Sequence, residues 1–229
     1  MNDIAGRLEQ VQAAVADAAA KSGRVATDVQ LIAASKKQNA EQVRAVFDAG
    51  QKIFGESRVQ EAREKIPSLP SAVRWHFIGH LQKNKIRHAL PLFELFHSID
   101  AVALATDMNR IAEEEGLNPR VLLEVNVAGE GSKIGFSPDA VRHAFDQLLS
   151  LPRLMVEGLM TIPPLAPEAE ASRPHFVVLR TLRDQLEAEF AVTLPQLSMG
   201  MSNDFNIAIE EGATLVRVGT AIFGSRSLG

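Results

Sequence analysis

Eight times along this chain a short apolar run gives way to a stretch with helical spacing, and that alternation narrows the possible folds more than any other feature. The runs lie at residues 30–35, 52–55, 74–78, 93–97, 120–125, 154–160, 194–198 and 214–218. Strands that alternate with helices are joined by right-handed crossovers and build parallel sheets. Within the fifth run Val121-Leu122-Leu123 is continuously apolar up to Glu124, as a strand buried on both faces requires. Eight such units, without a linker or a change of composition, predict closure into a single-domain (β/α)8 TIM barrel over residues 1–229. An open, doubly wound sheet is the competing arrangement.

The helices between the runs carry their own punctuation. One starts at Asn39, buries Val43, Val46 and Phe47 and stops at Gly50; another passes through Leu104, Met108 and Ile111 and closes at Gly116. Helices are also predicted over 57–66 and 84–90, from the cap pair Ser137-Pro138, and through Phe176, Leu179, Leu182 and Leu186. An extra N-terminal helix over 3–20 places Ile4, Leu8, Val11, Val15 and Ala18 on one face before any strand. Little chain follows the last strand, so this early helix is expected to cover the ground of a full eighth helix.

Composition removes several classes of function. A net charge of −4, with both signs spread along the helices, offers no basic face, so no nucleic acid is expected as a partner. Cys is absent, which excludes disulfides, thiolate metal sites and a thiol nucleophile; the six His are dispersed, so no metal is expected. No signal peptide is recognisable at the N-terminus, and no run reaches about 18 apolar residues. The expectation is a cytoplasmic protein without a membrane partner. Tyr is absent as well.

The chemistry concentrates in residues 194–226. There a strand leads through Met199-Gly200-Met201-Ser202 into a helix expected to start at Ser202 or Asn203 and to stop at Gly212, and the next strand ends in Gly219-Thr220. Unpaired N–H groups, two hydroxyls and small residues after strands seven and eight make a phosphate cup; two ordinary turns fit the same spacing. Across the barrel mouth, Lys36 shares the inward alternation of Ile32 and Ala34. Apolar walls there would desolvate its amine, lower its pKa and favour a Schiff base with an aldehyde. A phosphate cup with a Schiff-base lysine suggests pyridoxal 5'-phosphate (PLP). A solvated rim charge is the competing reading of Lys36, and Lys37 beside it has the same compositional claim.

Several motifs fall in one order along nearly the whole chain: AASKK at 33–37, FGESRVQEAREKI at 54–66, WHFIGHLQKNK at 75–85, SKIGF at 132–136, GLMTI at 158–162 and LSMGMSNDFNIAIEEGATLVRVGTAIFGSR at 197–226. Together they resemble the pyridoxal phosphate homeostasis protein family, the proline synthetase co-transcribed homologues. That resemblance implies a PLP-binding barrel similar to the alanine racemase N-terminal domain, with PLP held as a covalent aldimine on Lys36. It implies that Ser202, Gly219 and Thr220 hold the phosphate, that Ser198 and Met199 line the same end, and that Arg217 faces the pyridine nitrogen. An arginine can only donate, so the nitrogen stays unprotonated and the ring is a weak electron sink. Without the resemblance, Arg217 reads equally as a structural partner of Glu210 or Glu211.

The chain also departs from the family pattern. The family's Ser-Lys-Thr-Lys-Pro is Ser35-Lys36-Lys37-Gln38-Asn39 here, and its Asn-Tyr after the FGE motif is Ser57-Arg58. Three further features lie on loops or surfaces: His80, as a proton carrier or a helix cap; the basic group Lys83, Lys85, Arg87 and His88; and Lys133, as a residue that could close the mouth or form a second aldimine. The expected function is PLP binding in intracellular vitamin B6 homeostasis by reversible aldimine exchange, with no catalytic residue, PLP-dependent apo-enzymes as recipients and a monomeric state. A PLP-dependent amino-acid racemase with Lys36 as base is the alternative. Its usual second base is a Tyr from another domain, and this chain has no Tyr. A cofactor-free sugar-phosphate barrel enzyme is a third reading.

Overall fold

The computed structural model describes residues 4–129 and 134–224. Its strands are β1 (Gln30–Ala34), β2 (Ile53–Glu56), β3 (Arg74–Phe77), β4 (Leu95–Ile99), β5 (Arg120–Glu124), β6 (Met155–Met160), β7 (Gln196–Met201) and β8 (Leu215–Val218). Each pairs in parallel with the next, and β1 pairs with β8, so the sheet closes into a barrel as the alternation predicts. Around it lie α1 (Ile4–Lys21), α2 (Ala40–Asp48), α3 (Val59–Lys65), α4 (Ile86–Ala89), α5 (Val102–Glu115), α6 (Pro138–Leu149), α7 (Arg173–Phe190), α8 (Phe205–Glu210) and α9 (Thr220–Phe223).

The inward-facing residues form layers. At the N-terminal ends of the strands, Arg74 donates to Glu94 and Arg120 bridges Glu94 and Glu157. Above these ion pairs, Ile32, Ile53, Leu95, Leu122, Met160 and Leu215 make a small apolar cluster separate from the main core. Each such side chain contributes about 2 kcal/mol when fully buried. The next layer is polar, with His76, His97, Ser198 and Arg217 all buried. The main core fills the space between sheet and helices.

Helix α1 occupies the position expected of it. Its buried face of Ile4, Leu8, Val11, Val15 and Ala18 packs on α8 and α9, and α9 is a single turn. Arg7 Nε donates to Ile222 O at 2.7 Å, and Arg24 Nη1 to Ala213 O at 2.9 Å. The early helix and the turn after it thereby pin the two short helices that follow the last two strands.

Two boundaries differ from expectation near the chemistry. Strand β7 continues through Met201, and α8 starts only at Phe205, not at Ser202 or Asn203. The cause is Asp204, whose Oδ1 accepts from Met201 N–H at 2.7 Å and holds Ser202-Asn203 in a turn, while its Oδ2 accepts from Ser172 Oγ at 2.8 Å. Gly200 makes the close packing possible. Its φ is +91°, and an added Cβ would lie 2.6 Å from Ala208 Cβ and 2.9 Å from Phe205 Cα. Gly200→Ala is therefore expected to destabilise the protein by about 3 kcal/mol through combined strain and overpacking, read as a lower urea midpoint; a midpoint equal to the wild type would contradict this packing.

Candidate functional site

A cavity of about 260 Å³ opens at the C-terminal ends of the strands, where barrels of this kind place their chemistry. Lys36, Ser202, Arg217, Gly219 and Thr220 all line it, with Ala34, Ile78, Ile162, Pro164 and Leu165 supplying an apolar side. Five residues picked out in the sequence are thus brought together from three strand ends. Ser198 lies beneath, bonded to Arg217. The Met199 side chain is buried in the main core between sheet and helices, not in the cavity wall, because alternation along β7 turns it away from its neighbour Ser198.

One side of the cavity is built by the turns after β7 and β8. Ser202 Oγ accepts from Gly219 N–H at 3.2 Å and from Ala221 N–H at 3.5 Å, which ties the two turns together. A Cβ on Gly219 would lie 3.3 Å from Ala34 O, so glycine lets this turn settle against the end of β1. Asp204 also borders the cavity, but its two oxygens are engaged by Met201 and Ser172.

Arg217 is buried at the cavity floor. Its Nη1 donates to Ser198 O at 3.0 Å and to Ser198 Oγ, and its Nη2 to Thr161 O at 2.8 Å. Pairing with Glu210 or Glu211, the competing reading, is not what the structure shows: those carboxylates bind Arg173 and Arg180. Burial lowers the Arg217 pKa to about 10, with Glu124 and Asp204 opposing, so it remains a cation at neutral pH. Three of its five N–H donors are used by these bonds, and the side chain borders the cavity.

Lys36 is exposed, and the expectation that apolar walls strip its amine of water is not met. It stands past the end of β1, in a turn closed by Gln38 N–H donating to Ser35 O at 3.0 Å. Lys37 does not share the cavity wall with it.

Sequence reasoning missed the polar column below Arg217. His97 Nδ1 lies 2.8 Å from Ser198 Oγ, and His76 Nδ1 lies 3.1 Å from His97 Nε2. The signal was alternation, since His97 shares the inward face with Leu95 and His76 with Ile78. Desolvation lowers the His76 pKa to about 4, and it lowers His97 well below the usual value, with His76 and Arg217 adding to that effect. Both rings are neutral at pH 7. Glu124, at the end of β5, is raised to about 7 by burial and by Asp100, with Arg217 opposing.

The remaining candidates are accounted for. His80 Nδ1 pairs with Asp100 at 3.0 Å instead of capping a helix. Lys83 binds Asp107 and Arg87 binds Glu114 and Glu115. Ser57 does not line the cavity, and its carbonyl packs where a Cβ on Gly79 would come within 2.1 Å. Lys133 lies outside the described residues. Among the described residues no group of three His, Cys, Asp or Glu is placed to hold a metal ion, and no helix is long and apolar enough to cross a membrane.

With this geometry in view, comparison with known proteins decides the family. The profile described as alanine racemase, N-terminal domain, matches residues 8–227. A pyridoxal phosphate homeostasis protein of Aquifex aeolicus (strain VF5) is 44% identical over 221 residues, 96% of this chain and 97% of its own length. That of Escherichia coli (strain K12) is 41% identical over 238 residues, 99% of this chain and 98% of its own. The chain belongs to the pyridoxal phosphate homeostasis protein family. Among solved structures, PipY of Synechococcus elongatus PCC7942 with PLP bound superposes at TM-score 0.85 with 38% identity, covering 97% of this chain and all of its own. Alanine racemase of Clostridium difficile 630 in complex with cycloserine is 19% identical at TM-score 0.69, over 87% of this chain and 56% of its own, which shows a shared fold.

The buried titratable groups set a pH response. The unfolded chain takes up protons near pH 6.5 that the folded chain refuses, His76 until about pH 4 and His97 well below its ordinary range, so stability is lost as pH falls from 6.5. Glu124 opposes this, because the folded chain retains its proton up to about pH 7 and the unfolded carboxylate gives it up near 4.5. The urea midpoint is expected to drop between pH 6.5 and 4.5, and to drop more steeply in Glu124→Gln. A flat profile, or a shallower one in the variant, would contradict these burial assignments.

Proposed function

We propose that this chain binds PLP reversibly and acts in intracellular PLP homeostasis, with Lys36 as the amine that holds the aldehyde as a Schiff base and with apo-enzymes as recipients. The observation that carries the reading is that Lys36 lines a single cavity together with Ser202, Arg217, Gly219 and Thr220. The donor set fits the cofactor. The Ser202 and Thr220 hydroxyls beside Gly219 suit a phosphate, the apolar side suits a ring, and Arg217 supplies a donor-only cation for a pyridine nitrogen. Bound PLP supplies a carbonyl for reversible exchange between amines.

The protein's part is to anchor and to release. Lys36 is exposed, so a competing amine can reach the same carbonyl from solvent, and that access favours a carrier over a closed catalytic site. Arg217 can only donate a hydrogen bond to the ring nitrogen, which disfavours a protonated nitrogen, and Ser198 and Thr161 fix its plane. This weakens carbanion chemistry, and the chain has no Tyr to serve as the second base of a racemase.

Incubation with PLP should give a visible absorption band that borohydride abolishes, leaving a mass increment on the peptide containing Lys36; Lys36→Ala should show neither. A band that persists in the variant rejects the lysine assignment, and a wild type that neither colours nor binds PLP rejects the cofactor. Ser202→Ala should weaken PLP affinity by about tenfold through loss of a hydroxyl and of the tie between the two turns, as measured by fluorescence titration; unchanged affinity would place the phosphate elsewhere.

A further inference from the structure

The turn that carries Lys36 is held from behind by charges that the cavity does not use. Glu56, the last residue of β2, is fully buried, and it forms an ion pair with Lys65 from the last turn of α3, itself 8% exposed. Both reach Ser35, the residue before Lys36: Glu56 Oε1 accepts from Ser35 Oγ at 2.7 Å, and Lys65 Nζ donates to Ser35 O at 3.0 Å. On the other side of Lys36, Lys37 has φ +63°, a left-handed conformation that a lysine rarely adopts. Its N–H is held by Glu61 Oε2 at 3.1 Å, also from α3. Ser35 O additionally accepts from Gln38 N–H, so the turn is fixed at residues 35, 37 and 38.

Stability alone does not explain this arrangement. Replacing a buried ion pair by a well-packed apolar pair of the same size is often neutral or stabilising, and Glu56 Oε2 is buried without a hydrogen-bond partner among the described residues. What the pair does achieve is geometric. The Lys36 side chain is long and exposed, so its own packing does not aim the amine, and direction must come from the backbone that carries it.

We propose that Glu56, Lys65 and Glu61 are positioning residues that set the backbone of residues 35–37 so that Lys36 Nζ meets the aldehyde carbon of phosphate-anchored PLP. The proposal rests on the reading of Lys36 as the carbonyl-binding amine. In that step the neutral amine's electron pair attacks the carbonyl carbon, a C–N bond forms, and the carbonyl oxygen leaves as water with two protons from the nitrogen. The reverse restores amine and aldehyde. The phosphate cup is carried by β7 and β8, so loss of the clamp should slow bond formation and leave phosphate anchoring in place.

The test compares PLP with pyridoxine 5'-phosphate, which keeps the phosphate and ring but has an alcohol for the aldehyde. Lys65→Met and Glu61→Ala should each slow the appearance of the borohydride-sensitive band by about tenfold or more, with pyridoxine 5'-phosphate affinity changed by less than about twofold. Glu61→Gln, which keeps an oxygen acceptor for Lys37 N–H, should restore the rate. Bond formation at the wild-type rate in Glu61→Ala overturns the proposal, as does a parallel loss of both ligands. Should Lys65→Met not fold, Glu61→Ala on its less buried side chain decides. Absence of borohydride labelling at Lys36 in the wild type is a separate result, and it would remove the amine assignment.

Discussion

Everything at the cavity depends on the seam where β1 meets β8. Closure pairs Ile32 with Arg217 and Ala33 with Val218, so the two ends of the chain's strand order become neighbours in space. Just past that register the chain reaches Lys36 on one side and Gly219-Thr220 on the other. Glycine at 219 lets the second turn rest on Ala34 O, where any side chain would have to push β1 outward. An open sheet would leave these two edges far apart, and the proposed amine and phosphate cup would never share a cavity.

The polar column beneath the seam also has a physical cost. Arg217 is a cation in a dry setting, and its bonds go to Ser198 and Thr161 instead of to a carboxylate. Glu124 and Asp204 oppose its charge from a distance. His97 and His76 extend the column inward as neutral rings. An anionic or electron-rich ligand above Arg217 would complete this balance, which is the electrostatic side of the proposed function.

Much of the architecture was legible because periodicity reports burial. The eight apolar runs, the early helix and the stops at Gly50, Gly116 and Gly212 all correspond to observed elements or caps. The start of α8 was not, because local cap chemistry at Ser202-Asn203 is overridden by Asp204 reaching back to Met201. The candidate cavity was legible at residues that carry their own chemistry, since Lys36, Ser202 and Arg217 all line it. It was illegible where the geometry depends on partners distant in sequence. Nothing local to His76, Glu56 or Lys65 announces that they meet His97 or Ser35, and the exposure of Lys36 follows from a turn whose shape is set by α3. The resemblance to the family named the cofactor, whereas spacing alone left the two turns and the rim lysine with ordinary structural readings.

The central claim is that one amine after β1 and one phosphate cup after β7 and β8 hold a single PLP molecule between them. A crystal structure of the protein grown with PLP tests it most directly. The account predicts continuous density from Lys36 Nζ to the aldehyde carbon, the phosphate on Ser202, Gly219 and Thr220, and the ring nitrogen facing Arg217. Density for PLP at another site, or linked to a different lysine, would contradict it.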